Sequence, residues 1–290
     1  MSRRITISAI QLPDYHGEGT LEEKRDYNVR VAFEMIEEAA GRGSDIVCLP
    51  EVFQVVGVAE TSDEFVRFAE PEEGGLAKAL CGLARRLGVS MIAPVVGLYG
   101  ETLRNVAWVI SKEGKIVGRY FKVHCTRGER DRGILPGDSW PVFDLGFAKL
   151  GVMICHDNSF PESARCLALN GAEIIFWPHV QSGWGDEVWD ITLRSRAIDN
   201  AVYIVSCCFG RRPGEGWRPG MMVGRSGVIG PDGMILVEAG RTQGIATTTV
   251  DLDLPVIKHS FTKAGWQDFK VEMLRDRRPE TYGVIAKTSR

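Results

Sequence analysis

No long hydrophobic run occurs in this sequence. Its apolar stretches are short and broken by charged residues, glycine or proline, so none reaches the roughly 20 consecutive apolar residues that a membrane-spanning helix needs. Charge of one sign is lacking too. Against 38 acidic residues stand 35 basic ones, a formal net charge of −3, which offers no field to draw in nucleic acid or an anionic membrane surface. The seven cysteines include no Cys-x-x-Cys pair. An odd number of thiols scattered through 290 residues argues against a disulfide framework and against a structural zinc site, and for a reducing compartment. Internal repeats and low-complexity segments are absent as well. Met1-Ser2-Arg3-Arg4 passes at once into an alternating, strand-like run with no h-region or cleavage site, which gives the expectation of a cytoplasmic protein.

What the sequence does contain is an alternation of strands and helices. Ile5 to Gln11 reads as a strand. A helix follows, with Thr20 and Glu23 as a capping box, an apolar stripe through Val29, Ala32, Phe33, Ile36, Ala39 and Ala40, and Gly41 and Gly43 at its end. Ile46 to Leu49 is wholly apolar, the pattern of a strand buried on both faces. Leu76 to Leu87 is a second amphipathic helix. Strands Met91–Gly97 and Val106–Ile110 come next, then a turn at Lys112-Glu113-Gly114-Lys115 and a return strand to Phe121. Val123 to Trp140 reads as a charged loop. Further strands are predicted at Phe143–Leu145, Ala148–Ile154, Ile174–Trp177, Val202–Cys208 and Ile245–Val250, with a hairpin over 227–233 and helices through Ala164–Ala168, Asp186–Asn200 and Trp266–Asp276. This order gives an α/β chain of mixed sheets with helices outside. One domain is expected over residues 1–260, followed by an arm, 261–290, that frays or docks on a neighbouring subunit.

Three residues stand at the ends of apolar strands, where sites gather in α/β sheets. Glu51 directly follows Leu49-Pro50, Lys122 closes the return strand, and Cys155 sits where a strand breaks and a helix begins, with Ser159 and Glu162 as that helix's expected capping box and Pro161 in its first turn. Their chemistry is complementary. A cysteine can attack an acyl carbon, a glutamate can take the thiol proton and return one to a leaving amine, and a lysine can hold the developing oxyanion beside the backbone N–H of His156.

The runs Leu49-Pro50-Glu51, Tyr120-Phe121-Lys122-Val123-His124 and Gly151-Val152-Met153-Ile154-Cys155-His156-Asp157 through Phe160-Pro161-Glu162 together resemble the three motifs of the nitrilase superfamily of carbon–nitrogen hydrolases, in the same order. The resemblance implies a four-layer α-β-β-α sandwich with two mixed β-sheets, a Glu51-Lys122-Cys155 triad, no metal and no organic cofactor. It also implies a second glutamate in the loop after the lysine, here Glu129, that positions substrate or steers Lys122, and a homodimer or larger homo-oligomer to which a C-terminal arm contributes. Members that act on nitriles typically carry Trp-Glu after the cysteine. His156-Asp157 stands there instead, which favours an amide or N-carbamoyl substrate.

The substrate is therefore expected to be a small linear amide or N-carbamoyl compound, with no nucleic acid or membrane partner. Some carbamoyl-amino-acid hydrolases of this superfamily hold a carboxylate with arginines shortly after the cysteine. Asn158 and Ser159 occupy those places, leaving Arg211, Arg212 or Arg218 as substitutes. His179, Gln181 and Trp184, on the loop after an apolar strand, are the candidates for lining the pocket. Because successive side chains alternate on an extended segment, His156 is expected to act through its N–H and not its ring. Acyl transfer to another acceptor, a papain-like protease built on His124 or His179, and a non-catalytic scaffold of the same fold are the competing readings.

Overall fold

The strands that lead to Glu51 and His179 are apolar on both faces because both faces are covered. In Ile46–Cys48 and the residue after it, Ile46 and Cys48 point into one hydrophobic cluster while Val47 and Leu49 point into another. Ile174 and Phe176 alternate in the same way with Ile175 and Trp177. Period-2 side-chain alternation with no polar face is the signature of a strand sandwiched between layers.

A computed structural model describes residues 2–14, 17–181, 186–216, 224–258 and 267–287. Among these residues, two mixed sheets form. The larger has eight strands, with Arg4–Pro13, Ile46–Cys48 and Ser90–Tyr99 side by side and parallel, continued by the antiparallel strands Thr102–Ile110 and Ile116–Phe121. Gly244–Asp251 pairs antiparallel with Arg4–Pro13. The second sheet has six strands. Lys149–Val152, Ile174–Pro178 and Tyr203–Cys207 run parallel at its centre, and Val142–Asp144, Gly227–Ile229 and Ile235–Glu238 are its antiparallel margins. The sheets face each other through a shared core that includes Ile7, Cys48, Val109, Leu150, Phe176 and Val205. Helices Leu21–Gly41 and Gly75–Leu87 cover the outer face of the first sheet. Helices Pro161–Leu169 and Arg194–Asn200 cover that of the second. The result is the α-β-β-α sandwich.

Local chemistry accounts for most boundaries. Thr20 and Glu23 form the expected capping box, each side chain accepting the other's backbone N–H. Four details differ from the sequence reading. Ser159 caps nothing: Cys155–Ser159 is a 3₁₀ turn, and Pro161–Leu169 starts from Phe160 without a side-chain cap. The cause is Asp157, whose carboxylate turns back to accept the Ile154 N–H at 2.8 Å and so closes the turn early. The same turn means that the segment after Cys155 is not extended. The stretch Val123–Trp140 is not all loop, since Arg127–Asp131 is a short helix with a Thr126–Glu129 capping box. The expected Asp186–Asn200 helix contains a π-helical segment, Val188–Leu193, before it becomes α-helical. The last helix spans Phe269–Asp276, with Asp268 as its cap, and Trp266 lies outside the described residues. Among the described residues no helix is long and apolar enough to cross a membrane.

Candidate active site

Glu51 enters the space between the sheets as the chain leaves Ile46–Cys48. The next residue, Val52, has φ of +43°, a conformation that a β-branched side chain rarely adopts. The turn drives the Glu51 carboxylate inward, where it is 2% exposed. A buried carboxylate must be matched by donors, and three are present. Lys122 Nζ and Asn105 Nδ2 both donate to Oε1, at 2.8 and 2.7 Å, and the Val180 N–H donates to Oε2 at 3.0 Å.

Lys122 lies across the strand from Asn105 and donates its own N–H to the Asn105 carbonyl at 2.9 Å. Its ammonium, 1% exposed, also donates to Glu129 Oε1 at 2.9 Å. Asn105 Nδ2 reaches that same Glu129 oxygen at 2.8 Å. Two carboxylate oxygens are thus bridged twice, by one ammonium and one amide. Burial alone would lower the Lys122 pKa, but the Glu51 charge and then the other negative neighbours outweigh it and hold the lysine protonated. For Glu129, burial pulls upward and Lys122, Asn105 and the Thr126 N–H pull further downward, so its pKa is lowered and the group is ionised. Glu129 Oε2 accepts the Thr126 N–H at 2.7 Å. The residue that caps a five-residue helix therefore also fixes the lysine.

Cys155 follows Lys149–Val152 on the facing sheet. Its φ is +44°, again the left-handed region, and this bends the chain so that the thiol turns toward Glu51. The thiol has the Glu51 carboxylate, the Lys122 ammonium and the Val180 N–H as its electrostatic neighbours. Enclosure, and then the Glu51 charge, push the thiol pKa well above its ordinary value, with Lys122 pulling the other way. At neutral pH the resting group is a thiol.

The corner is held from behind by Asp157. Its carboxylate accepts hydrogen bonds from the Ile154 N–H, the Tyr120 hydroxyl, the His124 N–H and His124 Nδ1, all between 2.7 and 2.9 Å. Tyr120 and His124 flank Lys122 in sequence, so Asp157 fixes the cysteine corner to the lysine strand across the sandwich. Trp177 Nε1 donates to the Cys155 carbonyl at 2.9 Å. Among the described residues the His156 N–H has no protein acceptor.

Two cavities meet at Cys155. One, of about 400 Å³, is lined by Glu51, Lys122, Glu129, Asn105 and an apolar wall that includes Val55 and Phe65. The other, of about 380 Å³, is lined by His156, Asn158, Gln181, Thr192 and Arg196 among others. Of the three pocket candidates, Gln181 lines the second cavity and Trp184 lies outside the described residues. His179 lines neither. It is buried, stacked 3.7 Å from Trp177, with Nε2 against Ser206 Oγ at 3.1 Å and Nδ1 accepting the Gln181 N–H at 3.3 Å. Burial pushes its pKa down to about 3, so it is a neutral brace for the loop that presents the Val180 N–H. His124 is likewise engaged, by Asp157, and neither histidine stands as a base for Cys155. Arg211 and Arg212 line neither cavity, and Arg218 lies outside the described residues. Among the described residues no cluster of three or more His, Cys, Asp or Glu side chains is placed to hold a metal ion.

Asn105 and Arg196 were not anticipated from the sequence. A lone amide directly before the apolar run Val106–Ile110 was the available signal for the first; Arg196 carried none beyond its place in a helix.

The Carbon-nitrogen hydrolase family matches residues 6–256. A protein named nitrilase from Pyrococcus abyssi is 35% identical over 263 residues, covering 89% of this chain and 93% of that one. An omega-amidase from Homo sapiens is 27% identical over 271 residues, 90% of this chain and 92% of its own. Among solved structures, an amidase of the nitrilase superfamily from Nesterenkonia sp. AN1 superposes with a TM-score of 0.77 at 24% identity, covering 98% and 97% of the two chains. A nitrilase-superfamily member of branch 10 from Saccharomyces cerevisiae gives a TM-score of 0.72 at 27% identity, covering 86% and 90%. The chain is a member of the carbon–nitrogen hydrolase family, within the nitrilase superfamily.

Proposed function

We propose that this carbon–nitrogen hydrolase is an amidase that cleaves a small linear amide through a thioester on Cys155. The observation that carries this reading is the buried, hydrogen-bonded Glu51–Lys122–Glu129 cluster set against a neutral thiol on a strained corner. A neutral thiol needs a base within reach, and Glu51 is the group beside it.

In the first half-reaction Glu51 takes the Cys155 proton as sulfur bonds to the amide carbonyl carbon. The carbonyl oxygen becomes an oxyanion, held by the Lys122 ammonium and the unengaged His156 N–H. As the C–N bond breaks, Glu51 returns the proton to nitrogen and ammonia leaves. Water then enters. Glu51 takes its proton, the water oxygen attacks the thioester carbon, the C–S bond breaks, and the sulfur recovers the proton. One amide and one water give one carboxylic acid and one ammonia. Lys122 stays charged throughout, because two carboxylates hold its proton. Glu129 keeps the lysine in place and keeps the cluster dry.

Relatives named omega-amidase and deaminated glutathione amidase support an amide over a nitrile. The test is ammonia release from a panel of short amides, N-carbamoyl amino acids, N-carbamoyl amines and nitriles, with a folded Cys155→Ala variant as control. Release from the amides that depends on Cys155 is the expected result. Cys155-dependent release confined to carbamoyl compounds or nitriles would replace the substrate class. Silence across the panel would remove the hydrolase reading.

A further inference from the structure

The two cavities at Cys155 differ in charge, and the difference orients the substrate. In the larger, the Glu51 and Glu129 carboxylates are offset by Lys122 and Arg132. Arg132 is moreover already engaged, with Nε on the Glu60 carbonyl at 3.1 Å, Nη1 on the Gly128 carbonyl at 3.0 Å and its guanidinium stacked over Phe65. Among the described residues the smaller cavity is lined by one guanidinium, Arg196, and no carboxylate.

Arg196 forms no ion pair among the described residues. Its one hydrogen bond runs from Nη2 to the Asn158 carbonyl at 3.1 Å, and its Nε is buried without an acceptor. Partial burial lowers its pKa, while Asp199 and Glu162 raise it only from a distance. A half-buried cation without a counter-ion is an unbalanced cost, and an anion entering that cavity would relieve it. Arg196 also sits in the helical stretch whose preceding turns, Val188–Leu193, are π-helical. Such a local widening of the helix recurs at functional sites, and here it places Thr192 in the same cavity.

The departing nitrogen receives its proton from Glu51 and so faces the carboxylate side. The acyl chain must then extend to the other side. We infer that the substrate's acyl chain ends in a carboxylate or similar anion, and that Arg196 binds this anion in the cavity bounded by Asn158, Ser159, Gln181 and Thr192. The inference rests on the amidase reading and names its substrate class. Arg196 supplies the cation that is missing from positions 158 and 159, and it does so from a different helix.

The experiment compares monoamides of four- to six-carbon dicarboxylic acids with straight-chain neutral amides of equal length. The readout is the ratio of the two kcat/KM values. A charged hydrogen bond of the usual strength gives a ratio of about 10 to 100 in favour of the anionic substrates. Arg196→Gln brings the ratio to about 1, and Arg196→Lys, which keeps the charge but loses the planar fork, leaves an intermediate ratio. A wild-type ratio of 1, or a ratio that Arg196→Gln leaves unchanged, overturns the inference. Calorimetric titration of a short dicarboxylate into folded Cys155→Ala protein separates the two readings. Binding that is lost on adding Arg196→Gln supports the anion site even if no amide is turned over, and no binding refutes it even if neutral amides are hydrolysed.

Discussion

Lys122 and Cys155 sit at the ends of strands on facing sheets, and their surroundings treat them in opposite ways. Lys122 has an ordinary backbone, a fully buried ammonium and two carboxylates holding it. Cys155 has a left-handed backbone, opens onto two cavities and is kept neutral. The fixed charge is over-determined, while the reactive group is left strained and uncommitted. In the proposed mechanism this difference is electrostatic preorganisation: the groups that meet the developing charge are set in place during folding, so nothing has to reorganise during reaction. Glu51 links the two halves. It is hydrogen-bonded like the lysine, yet its turn is strained at Val52 like the cysteine's.

Breaking the lysine side should have the largest effect. Lys122→Met leaves Glu51 and Glu129 buried and facing each other with no cation between them. A loss of about 3–5 kcal/mol is expected, read as a lower denaturant midpoint, together with loss of activity. A midpoint within experimental error of wild type would mean that water already reaches the cluster.

Glu51→Gln keeps the shape and removes the proposed base. The expected result is a fall in kcat of about 10²- to 10⁴-fold with the fold retained, since the amide can still accept from Lys122. Full activity in this variant would assign the proton transfer elsewhere.

Asn105→Ala tests the second bridge between the carboxylates. About 1–3 kcal/mol is expected to go from stability and transition-state binding together. With Asn105 gone from Glu129, whose pKa it helps to lower, the acid limb of the kcat/KM profile should move to higher pH. An unmoved limb would make Asn105 a packing residue only.

At neutral pH the smallest effect concerns the brace behind the loop. His179 has its pKa depressed from the ordinary 6.5 to about 3. Between those values the unfolded chain binds a proton that the folded chain does not, so this contribution to stability is complete above pH 6.5 and is lost as pH falls toward 3. The slope is about 1.4 kcal/mol per pH unit. His179→Asn should flatten the stability–pH curve in that window, measured by urea denaturation at several pH values, while a curve of unchanged slope would place a protonated imidazole in the native core.

Glu51, Lys122 and Cys155 could be singled out in the sequence because each follows the end of a strand, and those before Glu51 and Cys155 are largely buried. The strand order implied mixed sheets with helices outside, and the four-layer sandwich came from the resemblance. Glu129 came from resemblance, yet its physical role was written in Thr126-Arg127-Gly128-Glu129 as a capping box. A five-residue helix is too short to show a periodicity, so the segment read as a loop. Asn105 was hidden because one amide at a strand's start does not reveal that its cross-strand neighbour is a buried lysine. Ser159 looked like a cap because the pattern Ser-x-x-Glu fits one; Asp157, two residues after the cysteine, captured the Ile154 N–H first. Arg196 lies 38 residues beyond Asn158 along the chain, and only the packing of its helix on the second sheet brings them together.

The most direct test of the central claim is rapid acid quenching of wild-type protein mixed with a turned-over short amide, followed by intact-mass and peptide analysis. The account predicts an added acyl mass on the peptide containing Cys155, formed in step with the first equivalent of ammonia and absent from Cys155→Ala. Ammonia released by Cys155→Ala at the wild-type rate, with no acyl mass on any cysteine, would mean that water attacks the amide directly, and the thioester account would be wrong.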